Sequence, residues 1–369
     1  MDEIRTLSID GPGEVSLVAE EAGEVPEGGL LVHTLYSGVS AGTELTYVKG
    51  VNPYLNCGWD PELGLFTDGG RAIRYPVRGI GYMQVGRVVA SRTRAVEEGT
   101  LVAMAYGHRT GYVADPMTDR IVQLPPGFDP LLGIYVAHMG PICANGLLHA
   151  AADLYGPAVH GLGDGVRGRR VAVTGAGVVG LLVALFAQEY GAAEVVVVDG
   201  TEERLRVARA LGARTLHYDE DPAVVLKRRW RHGPHDRGAD VVFQCRGRAS
   251  ALATALRLLR PQGSVIDLAF YPHGADEVRL GEEFHHNGLT LRCAQIGRVP
   301  RGLGHVWDRE RLSHETIELL RRRGAALREH VITDVVEFGE APRLLRELAA
   351  GRRHAVQAVL RQHVDGERG

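Results

Sequence analysis

The sequence predicts an α/β protein in which a doubly wound parallel sheet is joined to an irregular, mainly β domain. Buried strands alternate with helices from residue 169 to about 300, which is the pattern of a parallel sheet with crossover helices. Short β-like runs broken by glycine and proline fill residues 1 to about 145. At 369 residues the chain also exceeds the size at which one core stops growing, so two domains are expected.

Three segments follow from this pattern. We predict a mainly β domain over 1–145, a parallel-sheet domain over 146–300, and a C-terminal return over 301–369 that packs on the first domain. The last segment is too short to form a stable domain of its own. It shows a helix, a strand and an amphipathic helix, in RERLSHETIELLRRRGA (309–325), HVITDVVEF (330–338) and EAPRLLRELAAG (340–351).

The first segment contains strand-like runs and one unusually glycine-rich stretch. The runs include GLLVHTLYSGV (29–39) and VGRVVASRTR (85–94), and the stretch is GIGYMQVGRV (79–88). Because this stretch leads into a strand, it has no helix dipole and makes a poor phosphate loop. We interpret its glycines as the hinge of a strand.

The second segment repeats a strand–helix cycle. Thr201 is the expected N-cap and Gly212 the expected C′ residue of the second helix. The strand-like runs lie in RRVAVTGAG (169–177), EVVVVDG (194–200), ADVVFQCRG (239–247), SVIDLAFY (264–271) and LTLRCAQIG (289–297), and the helical runs in VVGLLVALFAQEYGA (178–192), TEERLRVARALGA (201–213) and ASALATALRLLRPQG (249–263).

The run TGAGVVG (174–180) is a GxGxxG motif between a predicted strand and a predicted helix. Gly175 permits the tight turn, Gly177 admits a pyrophosphate, and Gly180 lets helix and strand pack closely, with Val178 and Val179 opening the helix. Asp199 ends the next strand about 20 residues further on, where a carboxylate binds the ribose hydroxyls and repels a 2′-phosphate. This predicts a Rossmann domain that binds NAD rather than NADP; a Rossmann-like sheet without a dinucleotide is the alternative.

The composition argues against nucleic acid and membranes as binding partners. The net charge of −3 provides no field for nucleic acid or an anionic membrane, and the Arg-rich runs 227–237 and 321–324 adjoin acidic residues or lie on a polar helical face. Cys57, Cys143, Cys245 and Cys293 are scattered without a CxxC pair. The N-terminus lacks a signal-peptide pattern, and no apolar run reaches the ~18–20 residues of a membrane span. We expect a cytoplasmic, reduced protein with a small-molecule substrate.

The order of these parts resembles the medium-chain dehydrogenase/reductase superfamily of the zinc alcohol dehydrogenase type, over essentially the whole chain. The resemblance implies that the mainly β domain is a GroES-like substrate domain. Within the superfamily the sequence is most similar to the bacteriochlorophyllide a dehydrogenase-like subgroup. The similar features are SGVSAGTEL (37–45), YPVRGIGYMQVGRV (75–88) and AQIGRV (294–299) followed by Trp307.

The resemblance also shows which metal ligands differ. Zinc members carry G-I-C-G-T-D and G-H-E-x-x-G, whose Cys and His bind the catalytic metal. The corresponding runs here place Ala41 at the cysteine, Tyr82 at the histidine and Met83 at the glutamate, and the four-cysteine structural-zinc lobe is absent. A catalytic zinc needs three protein ligands, so we predict no metal; a migrated site using His108, His138 or the pair 285–286 is the alternative.

Four residues are the candidates for proton handling. Thr43 matches the Ser/Thr that relays the substrate proton in zinc members, and Tyr82 can donate a phenolic hydrogen bond to the substrate oxygen. His108 and His138 lie where the resemblance places an acid/base or the third metal ligand, and His titrates near neutral pH. Each also has a structural alternative: a capping hydroxyl for Thr43, a space-filling ring for Tyr82, and ordinary structural roles for the histidines.

On the cofactor side, the resemblance implies that Ala269, Phe270 and Tyr271 pass beside the nicotinamide, and we expect the segment from Cys245 to Gly247 to lie near the adenine ribose. Arg204 begins the helix after Asp199 and can cover the adenine. By the same resemblance, the run LTLRCAQIG forms an edge strand that pairs across a two-fold axis, which predicts a homodimer.

Three functions therefore compete. The first is an NAD-dependent, zinc-independent oxidoreductase that interconverts a secondary alcohol (polyol, cyclitol or sugar type) and its ketone. The second is an enone or quinone reductase, a class that generally uses NADPH. The third is a non-catalytic dinucleotide-binding sensor. Asp199 and the polar set around Tyr82 favour the first.

Overall fold

The computed structural model describes residues 3–67, 72–295 and 297–362. The N-terminal part holds one short helix, α1 (Ala41–Val48), among many strands. The strands are β1 (Glu3–Gly11), β2 (Glu14–Glu21), β3 (Leu30–Gly38), β4 (Gly58–Asp60), β5 (Leu65–Thr67), β6 (Val77–Arg78), β7 (Gln84–Ser91), β8 (Leu101–Met104), β9 (Gly111–Ala114) and β10 (Ile121–Gln123).

The middle part begins with a long helix and then alternates strand and helix. The helices are α2 (Met139–Tyr155), α3 (Val178–Glu189), α4 (Glu202–Ala210), α5 (Pro222–Arg229), α6 (Ala249–Leu258), α7 (Glu283–His286) and α8 (Arg309–His330). The strands are β11 (Arg170–Thr174), β12 (Glu194–Asp199), β13 (Arg214–His217), β14 (Arg231–Gly233), β15 (Asp236–Arg237), β16 (Ala239–Gln244), β17 (Leu259–Asp267) and β18 (Thr290–Cys293). The chain ends with β19 (Ile332–Glu337), α9 (Ala341–Ala349) and β20 (Gln357–Arg361).

Contacts divide the chain into two compact units. One combines residues 1–138 with 332–369, and the other is residues 139–331. These limits differ from the predicted boundaries at 145/146 and 300/301. Helix α2 is continuous from Met139, and Gly140 in its first turn packs against Thr316 of α8, so both helices belong to the second unit.

The first unit is built from two larger sheets and a core that joins both ends of the chain. One sheet has the order β2-β1-β6, and the other has the order β10-β8-β7-β3-β20-β19 with β9 also paired to β3. Leu7 and Ile9 of β1 share a core with Phe338 and with Leu344 and Leu345 of α9. The C-terminal strand β20 pairs antiparallel with β3, with Val359 opposite Gly38.

The second unit contains a six-stranded sheet of order β13-β12-β11-β16-β17-β18, and every neighbouring pair in it is parallel. This is the doubly wound order of a Rossmann domain, in which ligands bind beyond the carboxyl ends of the strands. The central strands are buried throughout, as a sheet covered on both faces requires. The predicted fold class is confirmed.

Some predicted elements differ in extent from those observed, whereas the predicted ends of α4 agree. The helix predicted to run to Gly263 ends at Leu258, and β17 begins at Leu259. The strand predicted over 289–297 is limited to Thr290–Cys293, and Ile296 lies outside the described residues. Thr201 and Gly212 hold the predicted N-cap and C′ positions of α4, with Gly212 at φ +85°. In the described part of the chain, no helix has the length and apolar character needed to cross a membrane.

Candidate active site

The loop after β3 turns into α1 and places several polar groups close together. Ser40 occupies the N-cap position of α1, and Glu44 lies in the first turn. The Glu44 carboxylate reaches back, so that its Oε1 accepts a hydrogen bond of 2.9 Å from the Ser40 backbone N–H. A negative charge in the first turn is favourable because the free N–H groups point toward it.

The other Glu44 oxygen holds His108 in a fully buried cluster. His108 Nε2 lies 2.9 Å from Glu44 Oε2, and His108 Nδ1 is hydrogen-bonded to the Ser37 hydroxyl. All three residues are completely buried. An ionised carboxylate only accepts, so His108 Nε2 donates to it, and Nδ1 of a neutral ring accepts from Ser37. His108 thus connects Ser37 of β3 to Glu44 of α1 and is shielded from solvent.

Glycine at position 81 is what makes room for this ring. A Cβ atom on Gly81 would lie 2.9 Å from His108 Nε2, and the backbone there has φ +112°, which favours glycine. The glycine-rich stretch is therefore the close-packed wall of the His108 site. Met83, which follows it, is fully buried and packs against Gly38.

Tyr82 lies beside Ser40 and His138. The Tyr82 hydroxyl is hydrogen-bonded to the Ser40 hydroxyl, and the Tyr82 and His138 ring centroids are 4.6 Å apart. Both rings are half-buried, whereas Ala41 is exposed. The residue next to the tyrosine is therefore Ser40, one position before the alanine that the motif comparison selects. We call the Ser40–Tyr82 contact the hydroxyl pair.

Thr43 lies in the first turn of α1, which follows Ser40, and is half-buried. Its backbone N–H donates to the Ser40 carbonyl, and within the described residues its hydroxyl makes no hydrogen bond. The structure therefore joins Tyr82, His138 and Ser40 directly, holds His108 behind them, and places Thr43 on the adjoining helical turn.

We also looked for side chains that could bind a metal ion. Across residues 3–67, 72–295 and 297–362, no set of three or more His, Cys, Asp or Glu side chains is arranged to hold a metal ion. The hydroxyls of Ser40 and Tyr82 are not the ligands that zinc prefers. His285 and His286 lie on the short helix α7 with their rings 5.7 Å apart.

In the second unit, the predicted glycine turn links β11 to α3. A Cβ on Gly180 would lie 1.8 Å from the Gly175 carbonyl oxygen, so helix and turn are in direct contact there. A Cβ on Gly177 would meet nothing within 4 Å, so the N-terminus of α3, with half-buried Val178 and Val179, faces open space. Free backbone N–H groups in such an opening suit a pyrophosphate.

Asp199 ends β12 and ties it to this turn. Its Oδ2 accepts a hydrogen bond of 2.8 Å from the Ala176 N–H, while its Oδ1 is buried without a hydrogen-bond partner among the described residues. A buried acceptor of this kind is costly unless a ligand satisfies it. One oxygen thus shapes the glycine turn, and the other is left as an acceptor without a hydrogen bond.

Arg246 lies inside the segment from Cys245 to Gly247 that we expect near the adenine ribose, but the sequence patterns assign no role to its side chain. Its guanidinium Nη1 lies 3.8 Å from Asp199 Oδ1, and its Cζ lies 5.4 Å from the centroid of the Tyr218 ring. Burial raises the pKa of Tyr218 to about 12, with Arg246 acting in the opposite direction. Tyr218 therefore stays protonated at neutral pH. The one signal in the sequence is that Arg246 comes two residues after the end of β16.

A polar network covers the carboxyl ends of three neighbouring strands. Thr174 donates to Gln244 Oε1 at 2.6 Å, Gln244 Nε2 donates to the Tyr271 hydroxyl at 2.9 Å, and that hydroxyl donates to Asp267 Oδ2 at 2.9 Å. Burial raises the pKa of Asp267 above its usual range. This network fixes the turn after β17, which includes Phe270.

The remaining predicted cofactor residues surround this turn. A Cβ on Gly247 would lie 2.1 Å from the Phe270 carbonyl oxygen, so the segment from Cys245 to Gly247 packs closely on Phe270. Burial raises the pKa of the Cys245 thiol, which keeps it protonated. Arg204 is half-buried in the first turn of α4, after the strand that Asp199 ends.

Comparison with known proteins adds to this geometry. A family model described as zinc-binding dehydrogenase matches residues 178–307. The chain is 25% identical over 349 residues to the D-guloside 3-dehydrogenase of Escherichia coli K12, covering 92% of this chain and 94% of that protein. It is 32% identical over 115 residues to the D-xylulose reductase of Saccharomyces cerevisiae, covering 31% of this chain and 32% of that protein.

Solved structures match along nearly the whole chain. An alcohol dehydrogenase from Thermotoga maritima matches with a TM-score of 0.73 at 19% identity, covering 98% of this chain and all of that one. The L-idonate 5-dehydrogenase of Escherichia coli matches with a TM-score of 0.73 at 17% identity and 98% coverage of both chains. At such identities the likeness shows the fold alone. The sequence matches relate this chain to the zinc-type oxidoreductases of the medium-chain dehydrogenase/reductase superfamily, and the fold agrees with that relation.

Proposed function

We propose that the protein is an NAD-dependent, zinc-independent oxidoreductase that interconverts a secondary alcohol of the polyol, cyclitol or sugar type and its ketone. The observation that carries this proposal is the hydroxyl pair, in which Tyr82, the residue that the motif comparison aligns with a zinc-binding histidine, is hydrogen-bonded to Ser40. The names of two relatives, D-guloside 3-dehydrogenase and D-xylulose reductase, support a sugar-type substrate. We also infer that the chain belongs to the bacteriochlorophyllide a dehydrogenase-like subgroup, on the motifs given above.

The second unit fits a dinucleotide. Gly177 leaves space at the N-terminus of α3, and Asp199 Oδ1 is an unsatisfied acceptor beside it. We assign Gly175, Gly177 and Gly180, with Val178 and Val179, to the pyrophosphate, Asp199 and Cys245 to the adenosine ribose, Arg204 to the adenine, and Phe270 to the nicotinamide side. When bound, the nicotinamide ring accepts or donates the hydride.

Tyr82 is the residue we assign to the substrate oxygen. In the direction of ketone reduction, its hydroxyl donates a proton to the oxygen as the carbonyl carbon gains a hydride. In the reverse direction the phenolate oxygen takes that proton back. A neutral hydrogen-bond donor placed here would stabilise the developing alkoxide without a metal.

The remaining polar residues support Tyr82. Ser40 shares a hydrogen bond with the Tyr82 hydroxyl and can pass a proton to it, and Thr43 has an unengaged hydroxyl on the next helical turn. His138 lies against the Tyr82 ring. Because His108 is completely buried between Glu44 and Ser37, we assign it to positioning of the Ser40 turn instead of direct proton exchange with substrate.

The proposal is tested by steady-state kinetics with NAD(H) on a panel of polyols, cyclitols, sugars, their ketones and enones. We expect Tyr82→Phe to lower kcat on the order of 10²-fold with little change in KM, because it removes the proton donor. The control Tyr155→Phe changes an exposed tyrosine of α2 and should leave kcat unchanged. Treatment of the wild type with a zinc chelator should also leave the rate unchanged.

Other outcomes would select other functions. Activity restricted to enones or quinones would favour the reductase alternative. Dinucleotide binding without turnover of any compound on the panel would favour the sensor. Stoichiometric zinc together with loss of activity on chelation would contradict zinc independence.

A further inference from the structure

We propose that the adenosine end of this site holds the 2′-phosphate of an NADP-type dinucleotide as well as a bare ribose, with Arg246 as the counter-charge. The inference rests on the proposed function, since it concerns the same dinucleotide site. A carboxylate at Asp199 alone predicts exclusion of the phosphate. The guanidinium beside it changes that expectation.

Asp199 does not present an isolated negative charge. Its Oδ2 is engaged by the Ala176 N–H at 2.8 Å, and its Oδ1 lies 3.8 Å from Arg246 Nη1. Asp199 is 1% exposed, whereas the Arg246 side chain is 28% exposed. A ligand arriving from solvent therefore reaches the guanidinium more readily than the carboxylate, and the pair together carries no net charge.

The space next to this pair is left open by a glycine. Gly200 directly follows Asp199, and a Cβ there would lie 3.4 Å from Tyr218 Cδ2 and 3.8 Å from Arg246 Nη1. Tyr218 supports the guanidinium from the other side, with its ring centroid 5.4 Å from the Arg246 Cζ. Gly200, Tyr218 and Arg246 thus form a small corner at the end of β12, with one aromatic wall and one cationic wall.

The chemistry of this corner suits a phosphate monoester. A guanidinium offers paired N–H donors that match phosphate oxygens, and stacking on an aromatic ring holds it in place. Asp219 follows Tyr218 in the sequence, but its side chain is almost fully exposed. Its Oδ2 lies 3.3 Å from His217 Nδ1. A bare ribose would still find Asp199 Oδ1, so the same corner accepts both cofactor types.

The test is equilibrium titration of the full-length protein with NADH and NADPH, followed by nicotinamide fluorescence. We expect the wild type to bind both, with dissociation constants within about tenfold of each other. Arg246→Gln should weaken NADPH binding about tenfold or more, as loss of a charge-assisted contact does, and NADH binding less than about threefold. Arg248→Gln is the matched control, because it removes an exposed arginine from the same loop and should leave both affinities unchanged.

A second variant separates charge from folding. Arg246→Lys keeps the positive charge and should retain most of the NADPH affinity that the glutamine variant loses. The proposal is overturned if the wild type binds NADH but not NADPH, or if Arg246→Gln weakens both cofactors equally. Failure of the wild type to bind either dinucleotide would instead contradict the proposed function itself.

Discussion

Glu44 is the residue on which the buried polar cluster of the first unit depends. It is completely buried and accepts from both the Ser40 N–H and His108 Nε2. Glu44→Ala would leave His108 Nε2 and the Ser40 backbone N–H buried without the acceptor that each now has. We expect the free energy of unfolding to fall by about 3 kcal/mol, measured by urea denaturation.

Glu203→Ala is the matched control for this change. Glu203 pairs with Arg206 on the surface of α4, and both side chains are mostly exposed. Exposed pairs of this kind contribute little, so its stability should match the wild type. Equal stability of the two variants would show that the Glu44–His108 contact is not a stabilising pair.

At the residue scale, the sequence predicted that Tyr82 and His138 both handle the substrate proton. In the structure their rings are in contact. Sequence reasoning did not find Ser40, because the motif was aligned on Gly42-Thr43-Glu44, and the start of α1 decides which residue faces Tyr82. It placed Arg246 only as part of the segment from Cys245 to Gly247, since the contact of its side chain with Asp199 depends on a distance between two loops. Such distances are set by packing, which no local pattern encodes.

Two glycines of the turn between β11 and α3 should respond in opposite ways to substitution by alanine. A Cβ on Gly180 would lie 1.8 Å from the Gly175 carbonyl, so Gly180→Ala must push α3 away from the turn. A Cβ on Gly177 meets open space, and Gly177 has φ −80°, which alanine adopts freely. We expect Gly180→Ala to lower the melting temperature clearly and Gly177→Ala to leave it near the wild-type value.

Dinucleotide titration completes this comparison. Gly177→Ala should still weaken NADH binding about tenfold or more, because the added methyl group occupies the place we assign to the pyrophosphate. If Gly177→Ala binds NADH like the wild type, the pyrophosphate does not approach this residue.

Element types were predictable because each strand and helix of the second unit has a strong periodic pattern. Their ends were less so. The helix α6 stops at Leu258 and β17 starts at once. Pro261 disfavours helical geometry at Arg260, which instead forms ion pairs with Asp236 on β15 and Asp240 on β16. The proline is a local signal for this boundary, but the predicted helix extends past it.

At the scale of the whole molecule, the edge of the parallel sheet bears on assembly. Strand β18 lies at that edge, and Leu291 on it is 39% exposed. We propose that two copies of the chain pair along β18, so that light scattering should give twice the mass of one chain. Leu291→Lys should shift this mass toward the monomer, because a lysine on an edge strand opposes pairing.

Val335→Lys provides the control for the assembly experiment. Val335 lies on β19, the edge strand of the seven-stranded sheet, and is 42% exposed. Its substitution should leave the dimer intact. A monomeric wild type, or loss of the dimer in the control alone, would contradict pairing through β18.

The fold class followed from the alternation of strands and helices and from the length of the chain. The limits of the two units did not follow from the sequence, because they depend on which unit each connecting helix packs against. α2 and α8 touch through Gly140 and Thr316, and this close approach draws both into the second unit. A glycine at one position and a threonine 176 positions later carry no joint signal in a single sequence.

The first unit combines two segments that are far apart in the sequence, and this affects how it can fold during translation. The Gln357 side chain donates to the Val39 carbonyl, and β20 pairs with the end of β3 at Gly38. The backbone that leads into the hydroxyl pair therefore lacks its supporting strand until the ribosome has translated β20, more than 300 residues after β3. The second unit is continuous in sequence and has no such dependence, so a nascent chain can acquire its glycine turn before it can acquire a finished Ser40–Tyr82 contact.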